Sequence, residues 1–242
     1  MSGVLLYTAL QAERNAFAVE KFKNCLGVRL ESESYRGDAD FVINRTNDYR
    51  IAEFFEQRGI RAFNNSKLSR LANDKQLCYD YMERNGIPVM ETRYKGVPAV
   101  KKSVGGHGGT EVFMLTEAET FQSGYVYQKP CDTLGRDLRV WLIGEEIVAS
   151  ILRVGNNDFR SNYCLGGSAE LYKLNENERG LVKKIASLAK GDYIGIDFLF
   201  NGGELVFNEI EDSVGARMVY DKTNIDIISL YCNYIKKEMN IK

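Results

Sequence analysis

Residues 194–211, IGIDFLFNGGELVFNEIE, constrain this chain more than any other stretch, because two apolar runs flank Asn201-Gly202-Gly203, the signal of a β-hairpin. With those three residues as the loop, Phe200 faces Glu204 and Asp197 faces Phe207. Side chains alternate along a strand, so Asp197, Phe207, Glu209 and Glu211 then share one face. A four-residue loop would put Asp197 on the other face. Three carboxylates held together raise one another's pKa unless cations neutralise them. An all-oxygen set of this kind suits Mg²⁺, which keeps several waters and also takes phosphate oxygens. The competing reading is a hairpin end with solvated acids; against it stands the apolar company these acids keep. By itself the hairpin points to a metal site and to no particular reaction.

Cations and glycines occur upstream. Residues 98–113, PAVKKSVGGHGGTEVF, place Lys101 and Lys102 at the end of a strand, with four glycines around His107. Successive amides of such a loop form an anion-binding nest, and a glycine loop joining two strands can act as a flap over a ligand. It has neither the GK[ST] of a P-loop nor the GxGxxG spacing of a dinucleotide fold. A flexible surface hairpin is the alternative. His107 is the only histidine, but a catalytic base must be rigidly oriented by a third group, so it reads as a flap residue. Arg139, Arg153 and Arg160 follow, with planar forks suited to phosphate and carboxylate oxygens.

Around these segments the pattern is mixed α/β (α+β). Strands are expected near 4–9, 28–33, 40–44 and 60–63, with helices over 11–26 and 48–58, which makes a small α/β unit with a largely parallel sheet. A helix over 73–85 stops at Gly86-Ile87-Pro88. Strands near 89–93, 98–102 and 111–114 follow, and Thr116 with Glu119 reads as a capping box opening a short helix. Further strands are expected at 125–129, 137–143, 146–153, 192–200 and 204–211, with helices at 175–190, capped by Asn175 and Glu178, and at 223–239. The last of these helices offers exposed tyrosines.

The 32 basic and 33 acidic side chains leave a formal net charge of −1 with no long block of either sign. That excludes a broad basic footprint for nucleic acid or an anionic membrane. Five scattered cysteines without a CxxC pair, and one histidine, argue against a disulfide framework and a zinc site. The first residues read as a strand rather than a signal peptide, no stretch is long enough to span a bilayer, and a cytoplasmic setting is expected.

Taken in order, the NDK helix, GIP, VKKSVGGHGG, VYQKPC, DLRVWLIGEEIVASILR, FRSN, GIDFLF and NEIEDSVG resemble the ATP-grasp ligases, specifically their RimK-like branch, over about residues 64–220. The resemblance implies an ATP-grasp fold: two α+β lobes clasping ATP (65–125 with the glycine flap, 126–242 with the metal site) behind a small pre-ATP-grasp domain, 1–64. It implies that Lys75 and Lys102 contact the ATP phosphates under the flap of Gly106, His107, Gly108 and Gly109. Gln128, Lys129 and Cys131 would lie along the adenine edge, with backbone groups of Lys129 and Cys131 reading the base and Asp137 near the ribose. Arg139, Arg153 and Arg160 would face the γ-phosphate and the acidic substrate, with Ser161 and Asn162 nearby. Asp197, Glu209 and Glu211 would hold two Mg²⁺ ions, or Mn²⁺ in their place. The family commonly has asparagine where this chain has Glu211.

The implied reaction is ATP-dependent carboxylate–amine ligation through an acyl phosphate, releasing ADP and phosphate. The carboxylate would belong to a small molecule or peptide and the amine to an amino acid or similar compound. Relatives of this kind often assemble into homo-oligomers. Two rivals remain at this level: a non-catalytic Mg-ATP-binding module, and a phosphotransferase that stops at a phosphorylated product.

Overall fold

The computed structural model describes residues 2–106, 111–155 and 167–241. Its first 63 residues form a parallel sheet of β1 (Gly3–Tyr7), β2 (Arg29–Ser32), β3 (Phe41–Asn44) and β4 (Arg61–Phe63), in the order β2-β1-β3-β4. Parallel neighbours need crossovers. These are α1 (Ala9–Arg14) with α2 (Ala16–Leu26), and α3 (Tyr49–Glu56). The single helix expected over 11–26 is broken at Asn15, whose side-chain amide turns back to donate to the Gln11 carbonyl at 2.8 Å. The sheet order runs outward in both directions from β1 and β3. Their carboxyl ends therefore flank a topological switch point, where open parallel sheets place ligands.

Next come α4 (Ser66–Ala72), which the sequence reading lacked, and α5 (Lys75–Arg84). Asn65 and Asp74 cap them by accepting from the Leu68 and Leu77 amides. A three-stranded antiparallel sheet follows: β5 (Ala99–Ser103), β6 (Val112–Leu115) and β7 (Tyr125–Gln128), in the order β6-β5-β7. The strand expected over 89–93 is reduced to two isolated bridges, Val89 with Phe207 and Thr92 with Gln128. This segment passes from one sheet to another, so neither ladder continues along it. The short helix expected after Thr116 is also absent. The Glu119 carboxylate accepts instead from Lys101 at 2.6 Å and from the Tyr127 hydroxyl at 2.5 Å, so it does not cap a helix.

The largest sheet is antiparallel: β8 (Arg136–Ile143), β9 (Glu146–Val154), β10 (Ser168–Leu171), β11 (Tyr193–Asn201) and β12 (Glu204–Glu211), in the order β10-β9-β8-β11-β12. The helix α6 (Glu176–Ala189) crosses it and starts with the expected capping box of Asn175 and Glu178. On one face of this sheet Leu138, Ile196 and Phe207 pack with Tyr79, Met82 and Val182. On the other, Trp141, Ile151 and Tyr193 share a core with Leu5, Ile43 and Phe63 of the first sheet. The helix α8 (Ile227–Glu238), preceded by α7 (Arg217–Lys222), closes that second core with Ile228, Tyr231 and Ile235. The tyrosines expected to be exposed on this last helix are not: Tyr231 is buried, and Tyr234 is half-buried and donates to Asp192 at 3.0 Å. Among the described residues no helix is long and apolar enough to cross a membrane.

Candidate active site

The β11–β12 hairpin differs in detail from its expected register. Asn201 pairs with Glu204, so the loop is only Gly202-Gly203, with φ of +62° and +80°. A two-residue turn of that hand needs positive φ at both positions, which glycine adopts without steric cost. This turn alone would put Asp197 opposite Asn208. A bulge between Asp197 and Phe198 shifts the register by one residue more, to Asp197 opposite Glu209, and so brings the three acids back to one face. The three carboxylates do converge, with ligand atoms of Asp197, Glu209 and Glu211 within 4.8 Å of one another. Phe207 does not share their face. It pairs with Phe198 and lies in the core.

Each acid meets a cation. Arg139 on β8 donates from Nε and Nη2 to both oxygens of Asp197 at 2.7 Å, and from Nη2 to Glu211 at 2.5 Å. Arg153 on β9 grips Asp137 through two bonds of 2.6 Å and reaches Asp197 at 2.7 Å. Lys75 lies 3.3 Å from Glu209 and also donates to the Gly106 carbonyl. Burial would raise the Asp197 carboxyl, but Arg139 and Arg153 outweigh it and hold the group below its ordinary value. For Glu211, burial together with the neighbouring charges of Asp197 and Glu209 wins over Arg139, and the group is raised.

Lys102 is different in kind. Its ammonium donates to Gln128 at 2.8 Å, Asn208 at 2.8 Å and the Tyr79 hydroxyl at 3.3 Å, with no acid at ion-pair distance among the described residues. Burial pushes it down to about 8. Lys101, by contrast, points away to Glu119 and Gln122.

Of the residues singled out from the sequence, Lys75, Lys102, Gly106, Gln128, Lys129, Cys131, Asp137, Arg139, Arg153, Asp197, Glu209 and Glu211 line one cavity. It lies between the three-stranded and five-stranded sheets. The expectations for His107, Gly108, Gly109, Arg160, Ser161 and Asn162 fall outside the described residues. The Lys129 amide is committed to the Glu91 carbonyl at 2.9 Å, and Asp137 is the counter-ion of Arg153. Sequence reasoning missed Asn208, the bulge residue that accepts from Lys102. Its position between the hairpin and the two glutamates was the available signal.

A second cavity, of about 360 Å³, meets the first at Glu209 and Glu211. Tyr7, Thr8, Arg45 and Thr46 line it from the ends of β1 and β3, with Asn73 and Asp212 across from them. None of these was anticipated. The run Asn44-Arg45-Thr46-Asn47 directly after a buried parallel strand was the sign to follow.

Comparison with known proteins identifies the class first. A RimK domain ATP-grasp protein from Sphaerobacter thermophilus superposes with a TM-score of 0.74 at 16% identity, over 97% of this chain and 99% of that one. The ATP-grasp ligase PsnB, in a structure with a phosphomimetic variant of its minimal precursor, Mg and ADP, gives 0.71 at 15% identity over 98% of each chain. The fold is thus the ATP-grasp fold. A family profile described as "RimK-like ATP-grasp domain" matches residues 72–235, and the chain belongs to that family of ligases. Among curated relatives, the "Probable alpha-L-glutamate ligase" of Haemophilus ducreyi is 28% identical over 212 residues, covering 77% of this chain and 69% of its own length.

Proposed function

We propose that this ligase uses Mg-ATP to phosphorylate a substrate carboxylate and then joins the acyl phosphate to the amine of an amino acid. The observation that carries the proposal is the convergence of Asp197, Glu209 and Glu211 on the floor of a cavity walled by Lys75, Lys102, Arg139 and Arg153. The oxygen-only donor set fits hard dications such as Mg²⁺ or Mn²⁺. Among the described residues, Asp137, Asp197, Glu209 and Glu211 lie with Lys75, Lys102, Arg139 and Arg153 here, and Glu111, Lys129 and Arg136 also line the cavity. Three convergent carboxylates give enough ligand oxygens to share between two ions, each also taking phosphate oxygens. Ions held by Asp197, Glu209 and Glu211 would supply charge neutralisation for the transferring phosphoryl group.

The side chains have separable tasks. Lys75 and Lys102 bind phosphate oxygens, and Gln128 and Asn208 hold the Lys102 ammonium in place. The two arginines use Nε and Nη2 on acids. Each keeps Nη1 for a phosphate or carboxylate oxygen. With the Lys129 amide already committed, its carbonyl takes over the reading of the adenine edge beside Cys131. The substrate carboxylate attacks the γ-phosphorus, the P–O bond to ADP breaks, and the amine then attacks the acyl carbon with loss of phosphate. The flap over 105–109 and Arg160 would exclude water and steady the tetrahedral oxyanion. We assign residues 1–64, 65–125 and 126–242 to the pre-ATP-grasp domain and the two clasping lobes. The glutamate ligase relative favours glutamate as amine substrate, and PsnB, solved with a precursor peptide, is consistent with a peptide as the other substrate.

The test is release of ADP and phosphate from Mg-ATP with pooled carboxylates and amino acids, alongside Glu209→Gln. Release that needs both pools and disappears in the variant supports the ligase. Release of ADP that needs only one pool, without free phosphate, would mark a phosphotransferase.

A further inference from the structure

Arg45 is 8% exposed, and among the described residues no carboxylate lies at ion-pair distance from it. It donates from Nη2 to the Val214 carbonyl at 2.5 Å and from Nε to the Tyr7 hydroxyl at 3.4 Å, and its guanidinium lies 5.3 Å from the centre of the Tyr193 ring. Those neutral partners fix the fork without cancelling its charge. A buried cation lacking an acid is costly, and proteins ordinarily pair it. Asp212 lines the same cavity but accepts instead from the Ser69 hydroxyl at 2.6 Å and the Asn73 amide at 3.0 Å.

The location gives this charge a use. Arg45 stands at the carboxyl end of β3, beside the switch point with β1, and lines the 360 Å³ cavity that opens onto Glu209 and Glu211. Thr8, Gln11, Asn15 and Asn47 add neutral donors and acceptors to its wall. This space offers the Arg45 guanidinium and shares the Glu209 and Glu211 carboxylates with the other cavity, with Asp212 also in its wall. A ligand in this space would place a reacting group beside those two glutamates and an anion on Arg45.

We propose that Arg45 is a specificity-determining residue that receives the non-reacting α-carboxylate of an amino-acid-like substrate, so that the enzyme selects substrates carrying that acid group besides the reacting carboxylate or amine. The inference rests on the ligase reading above. Planar, two-pronged pairing of guanidinium with carboxylate explains why the site carries arginine. The carboxylate belongs either to the acid that is phosphorylated or to the amine that attacks, and the two sources are separable.

Wild type, Arg45→Met and Arg45→Lys, each saturated with Mg²⁺ and a non-hydrolysable ATP analogue, are titrated by calorimetry with L-glutamate, N-acetyl-L-glutamate and the 1-amides of both. For wild type, at least one acid binds about 10–100-fold tighter than its 1-amide, the range of one charge-assisted pair. Arg45→Met loses that preference while keeping its nucleotide affinity, and Arg45→Lys keeps part of it. A purely structural Arg45 would not move the acid-to-amide ratio, and the lysine variant, which retains the charge, covers the case in which methionine prevents folding. Arg45-dependent binding of the N-acetyl compound assigns the site to the activated acid; binding of free glutamate alone assigns it to the amine. Equal affinity for acid and amide in wild type, an unchanged preference in Arg45→Met, or no binding of any of the four compounds overturns the proposal and leaves the ligase reading standing. Failure of wild type to bind the nucleotide analogue overturns both.

Discussion

The two cavities that meet at Glu209 and Glu211 handle buried charge in opposite ways. On the nucleotide side, Asp137, Asp197 and Glu211 each meet an arginine at 2.5–2.7 Å, and Glu209 has Lys75 at 3.3 Å. On the side of the parallel sheet, Arg45 and Asp212 are both buried, and neither pairs with an opposite charge among the described residues. In the first each of these acids has its cation, and Lys102 is left on neutral partners among the described residues. The second is incomplete, and a ligand of the right charge would complete it. Charge pairing within a site thus indicates what has still to arrive.

The strongest way to break this comparison is to remove an acid proposed above to hold the metal. Glu209→Gln is expected to lower ADP release on the order of 10²–10³-fold, the scale of losing one preorganised electrostatic element. Its melting temperature should change little, because Glu209 is half-buried and its described partner, Lys75, is 3.3 Å away. Steady-state assays together with thermal denaturation check both halves. A variant that keeps full turnover would remove Glu209 from the chemistry.

Next is the cost of orphaning a buried charge. Arg153→Met strips Asp137 of a two-bonded partner and Asp197 of one of its two. Breaking such a buried network costs about 3–5 kcal/mol. Arg45→Met orphans no acid, only the Val214 carbonyl and the Tyr7 hydroxyl, and should cost about 1–3 kcal/mol. Urea unfolding of both variants without nucleotide measures the difference. Equal losses would mean that Arg45 is as fully engaged in the free protein as Arg153.

How far the sequence could reveal this contrast depends on whether a feature is local. Asp197, Glu209 and Glu211 were legible because strand alternation and a glycine turn act within twenty residues. Even there, two departures add: the shorter loop and the bulge each shift the partner of Asp197 by one residue, from Phe207 to Glu209, so the carboxylates still converge while Phe207 lies in the core. The Asn175–Glu178 box was legible for the same reason. The box at Thr116 and Glu119 was not, since Glu119 answers to Lys101 and Tyr127, and Tyr127 is brought close only by the pairing of β5 with β7. Arg45 depends on packing across 169 residues of chain, to Val214. No local pattern announces a contact of that kind, although the polar run after β3 marked the place.

Stability against pH separates the two sides further. Burial raises Asp212 to about 6, with the Ser69 and Asn73 donors only partly offsetting it, and Asp192 is raised to about 6 for the same first reason despite Arg61. A carboxyl whose folded pKa lies above its unfolded value adds stability below about pH 4, and that stability is lost as the pH rises through about 6. Asp197 has the opposite sign: its contribution is present above its unfolded pKa of about 4 and is lost as the pH falls through its lowered folded value. Asp212→Asn should therefore flatten the fall between pH 4 and 6 by on the order of 2 kcal/mol in denaturant titrations. An unchanged slope would show that Asp212 is solvated, or has an acid-stabilising partner, in solution.

The smallest expected effect concerns Lys102, the buried cation on the nucleotide side that, like Arg45, lacks an acid among the described residues. Arginine stays charged throughout the working range, whereas burial brings Lys102 down to about 8. Below that pH the free enzyme presents an ammonium to phosphate; above it, a proton must be taken up on binding. Affinity for Mg-ATP should then fall as the pH rises past 8, by about 10-fold between pH 7 and 9, since each pH unit above the free-enzyme pKa costs a factor approaching ten. Lys102→Arg would remove the titration and flatten the profile, even where its bulk weakens binding at every pH. Calorimetry in buffers of differing ionisation heat reads the proton uptake directly: close to one proton at pH 9 for wild type and none for the variant. A flat wild-type profile would place Lys102 away from the phosphates and leave that contact to other cations of the lining, such as Lys75.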